Sequence, residues 1–393
     1  MFKVLTLNNI AKVGLSRFPA DGYQIGSDVV DPDAILVRSA DMHSAKIGKG
    51  LKAVGRAGAG VNNIPVARMS EGGIPVYNAP GANANAVKEL VMAGLVLACR
   101  QICSAWDFAR RLEGSDEAIN QAVEAGKKKF AGFELPGRTL GVVGLGAIGR
   151  LVANTGVALG MNVVGFDPGL TVEGAWQLSA SVKKARSLDE LFRAADFLTV
   201  HVPLVEATRH LVNGDRIALM KKGTVVLNFA REGIADERAI VAALDAGHLH
   251  AYVCDFPSAA IIKHDRCIAL PHLGASTGEA EDNCAIMVVD QVRDFLENGN
   301  VRNAVNFPEV VAPRHTDYRL VCANANVPNM LGQISEALGQ AGLNIHDMVN
   351  SSRGELAYTV VDLDSPVPAA VLDQVASTTG VLMARLVPAP LTR

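Results

Sequence analysis

Short runs of Val, Ile, Leu and Ala, bounded by Gly, Pro, Asn and Asp, recur along roughly three quarters of the chain. Runs of this length and composition predict buried strands, and the stretches between them carry a helical period. Strands are predicted at 2–8, 34–39, 52–58 and 74–78. A single proline-free helix is predicted over 85–111, with Asn85 as its N-cap, and 113–129 reads as a polar connection. A second series places strands at 139–144, 162–167, 197–202, 224–230, 251–255 and 267–270, closed by a helix over 277–298. Strands alternating with helices in this way predict parallel sheets covered by helices.

Past residue 298 the pattern changes. Residues 299–316 hold two prolines and several Asn and read as a linker. Strand, helix, strand, strand, helix, strand then follow at 318–324, 329–341, 343–351, 356–363, 367–378 and 381–387. That order is the ferredoxin-like split βαβ arrangement. The predicted fold is therefore α/β: two doubly wound, Rossmann-like parallel-sheet domains plus a small ferredoxin-like one. The expected boundaries are 1–98 completed by 285–307, then 99–284, a linker at 308–316, and 317–393.

The 393 residues are 49% hydrophobic and 20% charged, an ordinary globular composition. A net charge of -3 points to neither nucleic acid nor a membrane surface. The six cysteines, Cys99, Cys103, Cys254, Cys267, Cys284 and Cys322, form no CxxC pair, so no metal is expected and free thiols in a reducing cytoplasm are. The chain starts on a strand without a secretory pattern, and the apolar run Leu90–Cys99 is too short to span a bilayer, so a cytoplasmic protein is expected.

Chemistry enters at Gly144-Leu145-Gly146-Ala147-Ile148-Gly149, placed between a strand and a helix. This GxGxxG turn suits a dinucleotide pyrophosphate at a helix N-terminus. Asp167 ends the next strand 18 residues after Gly149, placed to bond the adenosine ribose hydroxyls and to repel a 2′-phosphate. NAD is thus expected rather than NADP. Read blandly, Asp167 is only a turn cap before Pro168.

Two more segments fall at strand ends. Asn228-Phe229-Ala230-Arg231-Glu232-Gly233 offers a guanidinium fork that suits a 2-oxo or 2-hydroxy carboxylate, although Arg231 could instead pair with Glu232 or Asp236. Leu270-Pro271-His272-Leu273-Gly274-Ala275 offers an imidazole for proton exchange on a substrate oxygen, although a lone His is more often structural. His201, His248 and His264 are read as structural or surface residues.

Together, GLGAIG, Asp167, HVPL at 201–204, NFAREG at 228–233 and PHLGAST at 271–277 resemble the D-2-hydroxyacid dehydrogenases, in order, over about residues 1–307. The resemblance implies that Arg231 holds substrate and His272 transfers the proton. It also implies nucleotide contacts at Val202, Pro203, Thr208, Phe229, Ala230, Asp255, Gly274 and Ala275, beside Gly144, Gly146, Ala147, Ile148, Gly149 and Asp167. One departure stands out: alanines, Ala259 and Ala260, stand where the family carries a Glu paired with the His. Asp255 or Glu279 could take its place.

Within the family, VRSA, RAGAGVNN and YNAPGANANAVKEL resemble the phosphoglycerate dehydrogenases. That implies oxidation of 3-phosphoglycerate, with Arg38, Arg56, Ala59, Gly60 and Arg231 on the substrate. Surface arginines near turns are the plain alternative for Arg38 and Arg56. The last domain resembles an ACT regulatory module, which implies an L-serine effector at Asn324, Asn326 and Asn344 and a homodimer or homotetramer. Asn329, where many such domains have Gly, is suited to a left-handed backbone. Another D-2-hydroxyacid dehydrogenase, such as a hydroxypyruvate or glyoxylate reductase, and an NAD-sensing protein without turnover are the rival expectations.

Overall fold

The computed structural model describes residues 1–389. The chain divides into two compact units, one of residues 84–277 and one built from 1–83 together with the chain from 278 on.

The first stretch carries five parallel strands, β1 (Phe2–Leu7), β2 (Tyr23–Gly26), β3 (Ala34–Val37), β4 (Ala53–Arg56) and β5 (Val76–Tyr77), in the order β2-β1-β3-β4-β5. The pattern of apolar runs located all of these except β2, a four-residue strand. β2 exists by pairing with β1, Phe2 against Tyr23 through Leu5 against Gly26.

The second unit begins with the helix Ala84–Cys99. The single helix expected over 85–111 is instead broken: Gln101 takes a left-handed φ of 50° and a separate helix, Ile102–Arg110, follows. A remote strand of backbone causes the break. Phe133 N–H donates to the Cys99 carbonyl at 3.0 Å, where the helix's own next turn would have bonded. Asn85 lies inside the first turn and bonds Glu89 rather than capping. The stretch expected to be an irregular connection holds another helix, Asp116–Gly126, capped by Ser115 and opened by Asp116 and Glu117.

Seven parallel strands complete this unit: β6 (Thr139–Val143), β7 (Asn162–Phe166), β8 (Lys183–Lys184), β9 (Phe197–Val200), β10 (Thr224–Asn228), β11 (Leu249–Cys254) and β12 (Cys267–Ala269). Their order is β12-β11-β10-β9-β6-β7-β8, so the winding reverses between β6 and β9. Ligands of doubly wound sheets bind beyond the carboxyl ends of the strands at such a reversal. β9 and β10 are buried along their whole length, as strands covered on both faces must be.

The chain returns to the first unit through the helix Gly278–Asn298 and ends in β13 (Tyr318–Ala325), β14 (Ile345–Arg353), β15 (Leu356–Leu363) and β16 (Val381–Val387). These pair antiparallel in the order β14-β15-β13-β16, the expected ferredoxin-like sheet. Asn329 has φ 66°, the left-handed backbone expected of it. This sheet shares a core with the first one: Val321, Tyr358 and Val387 pack in one cluster with Tyr77, Val292 and Phe295. Tyr358 donates to the Gly299 carbonyl at 2.9 Å. Arg319, fully buried, pairs with Asp362 and donates to the carbonyls of Asn298, Ala312 and Pro313. Within the segment 308–316, Ala312 and Pro313 are thereby tied to this sheet.

Candidate active site

The dinucleotide turn lies at the winding reversal. Gly144 follows β6 with φ 87°, a conformation L side chains rarely adopt, and a Cβ there would stand 2.6 Å from the His201 carbonyl after β9. A Cβ on Gly149 would stand 1.9 Å from the Gly144 carbonyl, so only glycine lets the helix Ala147–Ala158 start this close. Beside Gly146, the N-cap of that helix, a Cβ would meet only open space. Backbone N–H groups, a helix N-terminus and room in front of it fit a pyrophosphate.

Asp167 follows β7 and is pinned in place: Oδ2 accepts from Leu145 N–H and Oδ1 from Gly169 N–H, both at 2.8 Å. A carboxylate fixed to the glycine turn in this way suits ribose hydroxyls. A cavity of about 650 Å³ beside it is lined by Asp167, Pro168, Leu170, Lys183, Lys184 and Arg186. Its volume falls in the range of small-molecule sites. Three cations on its wall are a feature the sequence did not flag.

Val202 and Pro203 follow β9. Thr208 closes their loop, donating to the Pro203 carbonyl at 2.6 Å and accepting from Val205 N–H at 2.9 Å. Phe229 is 5% exposed and Ala230 8%, so these two present backbone rather than side chain. His201 is enclosed and neutral, its ring nitrogen Nε2 3.0 Å from Thr199 Oγ1, and burial pushes its pKa down to about 3.

Arg231 stands just beyond β10 on a turn shaped by Asn228. Asn228, 2% exposed, donates to the Arg231 carbonyl at 3.0 Å and accepts from Ala230 N–H at 3.2 Å. Sequence reading passed over Asn228; its signal was a polar residue ending an otherwise apolar strand. Beyond β11 lies Asp255, 1% exposed. Its carbonyl accepts from His272 N–H at 3.0 Å and its Oδ2 from Gly274 N–H at 3.3 Å. Burial raises the Asp255 pKa, and His272, the Gly274 amide and Arg231 oppose that shift. His272 has φ 49°, an uncommon backbone for a residue with a side chain, and its ring meets the Phe256 ring edge-on at 5.1 Å. Arg231, Asp255 and His272 are thus neighbours at the strand ends of one sheet. Ala259 and Ala260 are exposed, so no side chain replaces the expected Glu at those two positions.

In the other unit, Arg38 follows β3 and Arg56 ends β4. Asn63 ties them together, accepting from Arg56 Nε at 2.9 Å and donating to the Arg38 carbonyl at 3.3 Å. Of the nearby amides, those of Ala57 and Gly58 donate to the Val37 and Arg56 carbonyls, both at 2.8 Å.

The three asparagines proposed for an effector do not meet within one chain. Asn324 and Asn326 lie at the Ala357 end of β15, and Asn344 at the Asp364 end. Seven residues of strand, roughly 23 Å, separate those ends. Asn324 is buried, with its Nδ2 on the Ala325 carbonyl.

Residues 102–274 match the model of the NAD-binding domain of D-isomer specific 2-hydroxyacid dehydrogenases. A D-3-phosphoglycerate dehydrogenase of Haemophilus influenzae is 30% identical, over 93% of this chain and 89% of its own. A hydroxypyruvate reductase of Thermotoga maritima is 38% identical over 69% of this chain and 86% of its own. The chain belongs to the D-isomer-specific 2-hydroxyacid dehydrogenase family. The NAD⁺-bound structure of 3-phosphoglycerate dehydrogenase from Entamoeba histolytica superposes with a TM-score of 0.61 at 25% identity, covering 78% of this chain and 98% of that one. Against several other D-3-phosphoglycerate dehydrogenases the chain spans only 62%, 59% and 56% of their length.

Proposed function

We propose that this protein is an NAD-dependent dehydrogenase that oxidises 3-phospho-D-glycerate to 3-phosphohydroxypyruvate, the first step of L-serine biosynthesis. The observation that carries the reading is the grouping of Arg231, Asp255 and His272 beyond β10, β11 and β12 of a sheet whose β6 turn suits a dinucleotide. The Gly144–Gly149 turn and Asp167 would hold NAD⁺, which would supply the hydride acceptor for C2 of the substrate. The guanidinium of Arg231 binds the carboxylate and the neighbouring oxygen as a fork. His272 takes the hydroxyl proton as the C–O bond gains double-bond character. Asp255 supports the imidazole electrostatically. Arg38 and Arg56, with the Ala59 and Gly60 amides, bind the phosphate.

Likeness to a 3-phosphoglycerate dehydrogenase over nearly the whole chain, and two arginines at the carboxyl ends of the neighbouring strands β3 and β4, favour the phosphorylated substrate over glycerate or glyoxylate. Steady-state NADH formation from 3-phosphoglycerate, with glycerate and lactate alongside, tests this. Turnover of glycerate equal to or above that of 3-phosphoglycerate rejects it.

We further read the last sheet as an ACT module and the active protein as a cytoplasmic homodimer or homotetramer. No helix among the described residues is long and apolar enough to cross a membrane. The separation of Asn324 and Asn326 from Asn344 requires an L-serine site to draw on two copies, paired through the long edge strand β14. Calorimetry with serine on wild type and on Asn344→Ala, beside light scattering, tests both together. A chain that stays monomeric while binding serine rejects the two-copy site.

A further inference from the structure

The phosphate corner of the first unit already contains an anion of its own. Glu281, in the first turn of the helix Gly278–Asn298, accepts from Arg38 Nη2 at 2.7 Å. The two side chains are 37% and 41% exposed, so solvent and solutes reach the pair. One turn further along the same helix, the thiol of Cys284 feels Arg38 and Arg56, which lower its pKa, and Glu281, which raises it, against a larger upward push from burial. Arg38, Arg56 and Glu281 thus all act on one stretch of this helix, and Asn63 bonds both Arg56 Nε and the Arg38 carbonyl. Gly58 keeps the corner open: a Cβ there would stand 2.6 Å from Arg56 Nη1. Two cations and one fixed anion face a ligand that itself carries about -1.5 to -2 charges as a phosphate monoester.

We propose that Glu281 is a tethered competitor for the anionic end of the substrate, occupying Arg38 until a phosphate displaces it. This rests on the reading of Arg38 and Arg56 as the phosphate site. Glu281 then sets how tightly the corner binds phosphate monoesters and keeps free inorganic phosphate from filling it. The helix N-terminus favours the Glu281 carboxylate whether or not it pairs with Arg38, so it can let go of the guanidinium without being stranded. Arg38 keeps further N–H donors in its fork while one is engaged, which gives an arriving phosphate a first contact before exchange.

The test is Glu281→Gln, which keeps the length and one acceptor and removes the charge, with Glu281→Ala as a second variant. Asp282→Asn removes a charge from the same turn at an exposed residue that has no ion pair among the described residues, and serves as comparison. Partly exposed pairs of this kind shift an equilibrium by about two- to fivefold. KM for 3-phosphoglycerate and the competitive inhibition constant of inorganic phosphate should both fall by about that factor in the Glu281 variants, and not in Asp282→Asn. The preference for 3-phosphoglycerate over glycerate should rise accordingly, and the gain should shrink at high salt. An unchanged or raised KM in both Glu281 variants overturns the role of Glu281 and leaves the substrate reading standing. Wild-type protein inert toward 3-phosphoglycerate, yet active on glycerate, overturns the substrate reading itself.

Discussion

The backbone of His272 is bonded to the carbonyl of Asp255, N–H to O at 3.0 Å, and the carboxyl of Asp255 in turn holds the amide of Gly274 at 3.3 Å. These bonds fix the left-handed turn that carries the imidazole, a conformation costing on the order of 1–3 kcal/mol when nothing else imposes it. The other carboxylate oxygen of Asp255 is buried and has no hydrogen-bond partner among the described residues. This enclosed carboxyl lies within electrostatic reach of His272 and Arg231.

The Asp255→Asn variant keeps the shape and an acceptor for Gly274 while removing the charge. Its kcat should fall about 10- to 100-fold, less than loss of a general acid–base group itself, with NAD binding retained by fluorescence titration. Because burial holds the Asp255 pKa above the usual carboxylate range, the wild-type rate should drop on the acid side as this carboxylate takes up a proton. That limb should be missing in the variant. A variant within twofold of wild type would remove Asp255 from the support of His272.

Arg231→Lys keeps a positive charge but loses the planar fork, so KM for the 2-hydroxy acid should rise and kcat fall together. His272→Ala should cost 10²- to 10⁴-fold in kcat. Near-normal kcat in His272→Ala would refute the proton transfer. Loss of Asn228, which bonds both the Arg231 carbonyl and the Ala230 amide, should reproduce a milder form of the Arg231 defect.

Asp167→Ala should narrow the preference for NAD over NADP by removing the fixed negative charge at the ribose. Lys183, Lys184 and Arg186 line the same cavity, so the variant should accept a 2′-phosphate more readily than loss of repulsion alone would allow. Competitive titration with both nucleotides measures this. A wild type that prefers NADP would show that those cations, and not Asp167, set the choice.

What could be read in advance follows from how local each constraint is. The glycine turn was legible because Gly144 and Gly149 answer to positive φ and contact within a few residues of chain. Asn329 was legible for the same reason. The break at Gln101 was not, because it depends on Phe133 reaching back to the Cys99 carbonyl from 34 residues away. The four residues of β2 were missed because a short strand is defined by its partner rather than by its own pattern. The pairing of Glu281 with Arg38 joins positions 243 residues apart, and no local pattern marks it. Asp255 was flagged as one of two stand-ins for the missing Glu, and its bond to His272 is what the fold adds.

His201 gives a prediction about stability rather than turnover. Its ring is enclosed beside the glycine turn and titrates near 3, because burial disfavours the charged form. Unfolded, it titrates near 6.5. Between those values the unfolded chain binds a proton that the folded chain refuses, so stability must fall as pH drops from about 6.5 toward 3. Above 6.5 this group contributes no pH dependence. Replacing His201 with Gln removes the titration and leaves Thr199 a polar partner. Urea midpoints at pH 7 and pH 4.5 should therefore lie closer together in His201→Gln than in wild type, by up to about 2–3 kcal/mol of unfolding free energy. An equal acid loss in both proteins would place the acid sensitivity elsewhere and show that water or local opening reaches the ring.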